Sequence, residues 1–172
     1  MTCRKILTLA LLSLLVAFTT GCCPKLKPFQ VTVIADESIR GYTVAVHLVG
    51  VNPQDNNRWT NYSMTKYWAP GDTLHNQQGV YTKILFDPTS QTTQALTRED
   101  PVWDTWLKYG ATDLFLVANL PLKEDHAGNA DARRQIIPIN NCRYFDELSG
   151  HSVTLRLTKD GIRLETPLAP QR

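Results

Sequence analysis

The loop at residues 123–134 carries the side chains best suited to chemistry in this sequence. Asp125, His126 and Asp131 lie there around a glycine, and grouped carboxylate oxygens of this kind bind hard cations such as calcium. Their spacing is not that of an EF-hand loop, and a solvated loop in which Asp131 pairs with an arginine fits better. We predict a contact surface without a resident metal. In an enzyme of unrecognised type, these three residues would be the first catalytic candidates.

Four tryptophans form the second group of interest. Trp59 and Trp68 bound one aromatic-rich segment, and Trp103 and Trp106 lie close together in another. Exposed indoles stack on sugar rings or anchor protein partners, whereas buried indoles fill space at the open edge of a thin sandwich. Core packing is the favoured interpretation of this aromatic cluster, and some of the indoles remain exposed as partner or ligand contacts.

Recognised catalytic patterns are absent from the sequence. It contains no G-x-S-x-G or H-E-x-x-H motif, no phosphate-binding glycine loop and no dinucleotide fingerprint. The four histidines lie far apart, and none has metal-ligand spacing with another. We therefore predict no enzyme activity and no cofactor.

The charge balance excludes a nucleic-acid partner. Arg4 and Lys5 account for the formal net charge of +2, and basic and acidic residues are equal in number after them. Proteins that bind nucleic acid need a basic surface that neutralises phosphates. The remaining partner classes are proteins, glycans and small molecules.

The N-terminal segment has the chemistry of a targeting signal. A basic pair at 4–5 is followed by an almost wholly apolar run at 6–18. This run is too short to cross ~30 Å of hydrocarbon as a helix, so it fits a signal peptide and not a permanent anchor. It ends in Thr-Thr-Gly-Cys, with the cysteine at Cys22, and this ending resembles a bacterial lipobox.

The resemblance to a lipobox implies that the chain is cut before Cys22 and that its thiol carries fatty acyl groups such as palmitate. The chain then divides into a lipoprotein signal peptide at 1–21, a lipidated tether at 22–29 and one domain at 30–172. In enterobacterial lipoproteins an Asp directly after the lipidated cysteine retains the protein in the inner membrane. The residue here is Cys23, so the resemblance implies an outer-membrane anchor facing the periplasm. The alternative is a plain secretory signal.

Two cysteines, Cys23 and Cys142, remain after lipidation. In an oxidising compartment two such thiols can form a disulfide. The bond would tie the C-terminal third of the domain to its membrane-proximal end, whereas an extended tether would keep the two cysteines apart.

Seven segments rich in aliphatic residues predict strands. The segment at 114–118 is apolar on both faces, which is typical of a central strand that is covered on both sides. The predicted strands are Gln30–Ala35, Tyr42–Val49, Val80–Phe86, Asp113–Leu120, Gln135–Ile139, Ser152–Thr158 and Ile162–Thr166.

The last two predicted strands have the pattern of a tight hairpin. An Asp-Gly pair at 160–161 is a favoured two-residue turn. A turn at this pair predicts that Leu157 faces Leu164 and that Arg156 faces Glu165.

Two segments interrupt the strands with helical signals. In the first, Asp100 can cap a helix, Pro101 suits its first position and Gly110 suits its end. The second, Trp59–Trp68, predicts a short helix or an ordered loop. Together these elements predict a mainly β fold, an antiparallel β-sandwich of transthyretin-like or immunoglobulin-like type with one or two short helical inserts.

The layout of the whole mature chain is that of a lipobox, a short tether and a β-sandwich with a small helical insert. It is similar to the outer-membrane lipoprotein family of the type VI secretion membrane complex. The resemblance implies a transthyretin-like fold with a loop that docks an inner-membrane partner. We therefore expect a membrane-anchored, non-catalytic assembly or interaction component of a cell-envelope complex. A lipoprotein that binds cell-wall glycan or another envelope ligand is the alternative.

Overall fold

The computed structural model describes residues 28–77, 81–122, 124–139 and 152–166. Within these ranges the backbone forms eight strands, three α-helices and two short 3-10 turns, at Glu37–Ile39 and Gly128–Ala130. The strands are β1 (Gln30–Ala35), β2 (Val44–Val51), β3 (Tyr81–Phe86), β4 (Thr93–Leu96), β5 (Asp113–Ala118), β6 (Arg134–Pro138), β7 (Ser152–Thr158) and β8 (Gly161–Leu164).

The strands form two four-stranded sheets that pack as a sandwich. Sheet 1 has the order β4-β1-β7-β8 and sheet 2 has the order β3-β2-β5-β6. The predicted mainly β, antiparallel sandwich with short helical inserts is confirmed, with one exception among the described pairings: β1 runs parallel to β7. A parallel pair needs a long crossover, and here the crossover contains the five strands β2 to β6. Local alternation carries no signal for such a pairing.

The main core lies between the two sheets and follows the period-two alternation of the strands. Val46 and Leu48 of β2 point into this core and are fully buried. Their neighbours Val49 and Val51 point to the outer face of sheet 2, where they belong to a second buried cluster. Sheet 2 is therefore covered on both faces.

The central strand β5 contributes to both cores, as its apolar sequence predicts. Leu114 and Leu116 lie in the main core, and Phe115 and Val117 lie in the outer one. Since neither face of β5 meets solvent from position 114 to 118, the apolar residues there stabilise it, at roughly 1.5–3 kcal/mol for each large side chain buried.

The outer core is closed by a helical insert between β2 and β3. It consists of α1 (Pro53–Asn61), α2 (Met64–Tyr67) and the turns that follow as far as Gln77, and we call residues 53–77 the insert. Asn52 caps α1 by accepting from the Asp55 amide at 2.9 Å. The segment predicted as a helix or ordered loop thus holds the end of α1 and all of α2.

The third helix, α3 (Val102–Tyr109), confirms the other predicted helix. The Asp100 carboxylate accepts from the Val102 amide at 2.9 Å, and Gly110 ends the helix with a left-handed φ of 74°. Trp106 of α3 packs directly on Gly50 of β2. A Cβ atom at Gly50 would lie 2.3 Å from the Cγ atom of Trp106. Only glycine allows the helix to approach the sheet so closely.

The β7–β8 hairpin is present, but its predicted register was wrong. Leu157 pairs with Ile162, and Leu155 pairs with Leu164. The two residues of the turn are therefore Lys159 and Asp160. Gly161 lies in β8 instead of the turn, because it packs against Ala132 so closely that a Cβ would meet the Ala132 carbonyl at 2.7 Å.

The charge pair predicted for this hairpin still forms. Arg156 pairs across the strands with Arg163, yet its guanidinium reaches diagonally to the Glu165 carboxylate beyond the end of β8. The side-chain length of arginine thus compensates for the two-residue shift in register.

The remaining differences concern strand ends and one strand that the sequence did not predict. The strand β2 starts two residues later than expected and ends two residues later, and the other described ends agree within two residues. The prediction omitted β4, Thr93–Leu96, because only one of its residues, Leu96, is buried. A four-residue edge strand with one buried position has almost no hydrophobic period to read.

Candidate functional site

Three of the four tryptophans are structural in position. Trp103 and Trp106 are each 1% exposed and contact each other in the main core with ring centroids 5.1 Å apart. The Trp103 indole N–H donates to the Thr97 carbonyl at 2.9 Å, and Trp59 lies in the outer core. These three indoles are therefore not presented to a sugar ring or a partner.

Trp68 is half-buried at the end of α2 and borders an open cleft. The cleft has a volume of about 310 Å³. Its walls are mainly apolar, and exposed polar side chains stand at its rim. The lining residues include Met64, Thr65, Trp68, Asn119, Leu120 and Leu122.

A second hollow, of about 360 Å³, lies between the β1–β2 and β3–β4 turns. Its walls include Ile39 and Phe86, and Tyr42 at its edge is 55% exposed. An aromatic side chain this exposed beside a hollow is a feature of protein contact surfaces.

The acidic residues of the 124–131 loop meet on one buried arginine, Arg133. Its side chain is 3% exposed and forms ion pairs with Asp125 and, at 3.0 Å, with Asp131. The other N–H groups donate to the Thr65 hydroxyl at 3.0 Å and to the backbone carbonyls of Leu122 and Glu124. All five guanidinium N–H groups thus have partners, and the pairing of Asp131 with an arginine is present.

Asp125 also joins the loop to the insert. It accepts from the Ser63 hydroxyl at 2.6 Å and from the Thr65 amide at 2.9 Å, both at the start of α2. A carboxylate at this end of a helix compensates for its unpaired N–H groups. Asp125 therefore fixes the position of the loop on α2.

Hydrogen bonds keep both carboxylates ionised. Burial would raise the pKa of Asp125, but donors from Ser63, Thr65 and Arg133 outweigh burial and lower the pKa to about 2. Burial likewise opposes ionisation of Asp131, and Arg133 again lowers the pKa. A general acid or base works best with a pKa near the working pH, so neither carboxylate has the properties of one.

His126 is not assembled with these carboxylates into a catalytic group. Its side chain is 50% exposed, and its Nε2 lies 3.5 Å from the carboxylate of Glu124. Only the backbone N–H of His126 donates to Asp131, at 3.2 Å. Among the described residues, no three His, Cys, Asp or Glu side chains are grouped so that they could hold a metal ion.

A second buried arginine, Arg134, was not singled out from the sequence. It is 1% exposed, and its N–H groups donate to four backbone carbonyls, of Gly128 (2.9 Å), Trp59 (3.0 Å), Tyr62 (2.9 Å) and His126 (2.6 Å). Two of these carbonyls belong to the end of α1 and two to the loop. The available signal was the Arg-Arg pair at the start of a predicted strand. Successive side chains of a strand point to opposite faces of the sheet, so one of two neighbouring arginines is directed toward a covered face.

The loop and the insert therefore form one continuous surface, the loop-insert surface (residues 53–77 and 124–131). Arg133 and Arg134 hold the two segments together. Asn129 adds a further contact, since its side-chain oxygen accepts from the Ile136 amide of β6 at 2.6 Å. A surface whose backbone is fixed in advance loses little conformational entropy when it binds a partner.

Several predicted features lie outside the described residues. These are the signal peptide, Cys22 with its lipid, Cys23 and Cys142, and they remain predictions. Phe29, the last residue of the expected tether, is buried against Trp103 in the main core at a ring distance of 4.7 Å. In the described part of the chain, no helix is long and apolar enough to cross a membrane.

Comparison with known proteins gives similarity in structure only. No protein-family model and no curated protein matches the chain. A solved structure described as a type VI membrane complex is 13% identical with a TM-score of 0.52, over 81% of this chain and 98% of that chain. This likeness shows a shared fold.

Two further solved structures are similar at lower TM-scores. One is Serratia marcescens Lip, a membrane bound component of the type VI secretion system, with 12% identity and a TM-score of 0.45, over 82% of this chain and 99% of that chain. The other is the type VI secretion lipoprotein TssJ1 from Pseudomonas aeruginosa, with 15% identity and a TM-score of 0.44, over 83% and 99%.

Proposed function

We propose that this protein is a membrane-anchored, non-catalytic component of a type VI secretion membrane complex. The observation that carries the proposal is the fold shared with a type VI membrane complex structure over 81% of this chain and 98% of that one. The N-terminal resemblance to a lipobox supports it independently, because it comes from residues that the fold comparison does not use.

In this proposal Cys22 carries the lipid and anchors the chain in the outer membrane on its periplasmic side. The sandwich then extends into the periplasm and supplies surfaces for a protein partner. The carboxylates of Asp125 and Asp131 both pair with Arg133 and hold the loop in place. They support a binding role because they stabilise a contact surface instead of being free for catalysis.

The two hollows are the proposed partner contacts. The cleft beside Trp68 combines apolar walls with the loop-insert surface, and the other hollow carries the exposed Tyr42. Both have rims of polar residues around a more apolar floor, as protein interfaces do.

Anchoring is tested with the full chain expressed in its own bacterium, comparing wild type with Cys22→Ser. Wild type is expected in the outer-membrane fraction and the variant in the soluble periplasmic fraction or as uncut precursor. Recovery of Cys22→Ser at the mature size and in the same amount as the wild type in the outer-membrane fraction would contradict lipid attachment at Cys22.

Assembly is tested by crosslinking the tagged full chain in cells and identifying the proteins that co-purify. Other components of the organism's type VI membrane complex are expected. Asn119→Arg in the cleft or Tyr42→Glu at the second hollow should reduce their recovery at least tenfold. Thr105→Arg, an exposed substitution on α3 that lines neither hollow, is the matched control and should leave recovery unchanged. Recovery of no such component would refute the proposal.

Binding of cell-wall glycan is the competing outcome. Among the four tryptophans only Trp68 is partly accessible, so stacking on a sugar ring would depend on it. Co-sedimentation of the chain with purified peptidoglycan, lost in Trp68→Ala, would favour this alternative.

A further inference from the structure

Five aromatic rings pack where the insert meets sheet 2, and we call them the ring cluster. His47 on β2 and Tyr81 on β3 belong to the sheet, while Tyr67, Trp68 and His75 belong to the insert. The cluster thus lies at the join between two parts of the chain. It is on the opposite side of sheet 2 from the main core.

His47 is the centre of the cluster. It is 1% exposed, stacks on Tyr81 with centroids 4.0 Å apart and planes at 10°, and lies 4.9 Å from Trp68 and 5.0 Å from His75. Its Nδ1 shares a hydrogen bond of 2.7 Å with the Tyr67 hydroxyl. The contacts of His47 with Tyr67, Trp68 and His75 therefore attach the insert to the sheet.

The insert is attached a second time through His75. The Nδ1 atom of His75 lies 3.1 Å from the Tyr67 carbonyl, and the His75 ring contacts Tyr67 and Trp68 as well as His47. The end of α2 and the turn after it thus form one packed unit against His47.

The groups that face His47 disfavour a positive charge on its imidazole. On β3, Lys83 is its direct cross-strand partner, and on β5 the partner is the apolar Val117. From the insert come His75 and the phenol of Tyr67, and from β3 the phenol of Tyr81.

The carboxylate of Asp72, in the same insert, is engaged by other donors. Asp72 accepts from the Tyr62 hydroxyl and from the backbone N–H groups of Leu74 and His75. None of these bonds reaches an imidazole ring. Lys66 of α2 lies over the Tyr62 ring, 5.2 Å from its centroid.

We propose that the ring cluster is an acid-sensitive latch, in which protonation of His47 releases residues 67–77 of the insert from sheet 2. A buried imidazolium without a carboxylate partner is costly. Movement of the segment lets water reach the ring and separates it from His75. Because Trp68 and Ala69 of this segment line the cleft, its release also reshapes the cleft. The latch concerns the chain's own fold and does not depend on its place in a secretion complex.

The protonation equilibrium gives the size of the effect. Burial, together with smaller effects of His75 and Lys83 in the same direction, lowers the pKa of His47 from 6.5 to about 4. A released, solvated His47 has its ordinary pKa of about 6.5. Between these values the released state binds more protons, so acid favours release. From pH 7.5 to pH 5 the opening equilibrium constant should rise about 30-fold.

The test is hydrogen–deuterium exchange of the purified full chain at pH 7.5 and pH 5, expressed as protection factors so that the intrinsic pH dependence cancels. Peptides covering 67–77 are expected to lose about 30-fold in protection, while β5 at 113–118 keeps its protection. His47→Gln, which can still bond to Tyr67 and does not titrate in this range, should abolish the loss. His126→Gln, which changes an exposed histidine outside the cluster, should retain it.

A second variant covers the case in which His47→Gln does not fold. Lys83→Glu replaces an exposed positive charge directly across from His47 with a carboxylate, so it should fold normally, favour the charged imidazole and reduce the loss of protection to about half. Unchanged protection of 67–77 at pH 5 in the wild type would overturn the latch. The same loss in His47→Gln as in the wild type, or an undiminished loss in Lys83→Glu, would overturn it as well.

Discussion

Replacing Gly50 by alanine tests how closely α3 packs onto sheet 2. An alanine Cβ at this position would lie 2.3 Å from Cγ, 2.7 Å from Cδ1 and 2.8 Å from Cβ of Trp106. Carbon atoms in contact are ordinarily about 3.5–4.0 Å apart. The helix or the indole must therefore move by more than about 1 Å.

The cost follows from where Trp106 lies. It is 1% exposed between the sheet and Trp103, so its indole has no free space to turn into. Inserting a methyl group into a packed core typically costs about 1–3 kcal/mol, and we expect about 3 kcal/mol at this rigid contact. For a domain of this size that corresponds to a fall in Tm of roughly 6–12 °C.

The assay is urea unfolding of the full chain followed by circular dichroism, with a thermal scan as the second measurement. Gly41→Ala is the matched control, because a Cβ there meets nothing within 4 Å, and its stability should change by less than about 0.5 kcal/mol. In a double-mutant cycle, Gly50→Ala and Trp106→Ala should couple by at least about 1 kcal/mol, since the small residue removes the clash. A loss below about 0.5 kcal/mol for Gly50→Ala would refute the packing described.

Two further predictions concern the buried arginines and their carboxylates. Arg134→Met keeps most of the side-chain volume but leaves four backbone carbonyls without their donor, so we expect a loss of about 3 kcal/mol in urea unfolding; a loss under about 1 kcal/mol would mean that the carbonyls are satisfied without it. For Asp125 the folded pKa of about 2 lies below its ordinary value, so its stabilising contribution is complete above about pH 4 and is lost as the pH falls toward 2. Asp125→Asn should remove that part of the acid unfolding profile, and an unaltered profile between pH 4 and pH 2 would contradict the assignment.

Elements defined by local pattern were predictable from the sequence. The apolar stretch of β5, the cap and glycine end of α3 and the strands β1 and β7 follow from period, propensity and turn chemistry. These signals are read within a window of a few residues, and the contacts that stabilise them repeat along the same element. The resemblance of the N-terminus to a lipobox is equally local.

The candidate site was predictable only in part. The sequence predicted that Asp131 pairs with an arginine, but it carried no indication that Asp125 would bind the same arginine, Arg133. It also left open whether the tryptophans face solvent, because an amphipathic helix with indoles looks the same whether its apolar face covers a core or meets a partner. Burial distinguishes the two, and burial is a property of the whole fold.

The sequence by itself determined the mainly β composition of the domain, the positions of its central strands and the absence of recognised catalytic motifs. Tertiary structure decided the parallel pairing of β1 with β7, the hairpin register at Gly161 and the joining of the loop to the insert. The physical reason is distance along the chain: Arg133 reaches Thr65 across 68 residues and Arg134 reaches Trp59 across 75. Contacts between such distant residues depend on how the sheets pack, and no local pattern encodes them.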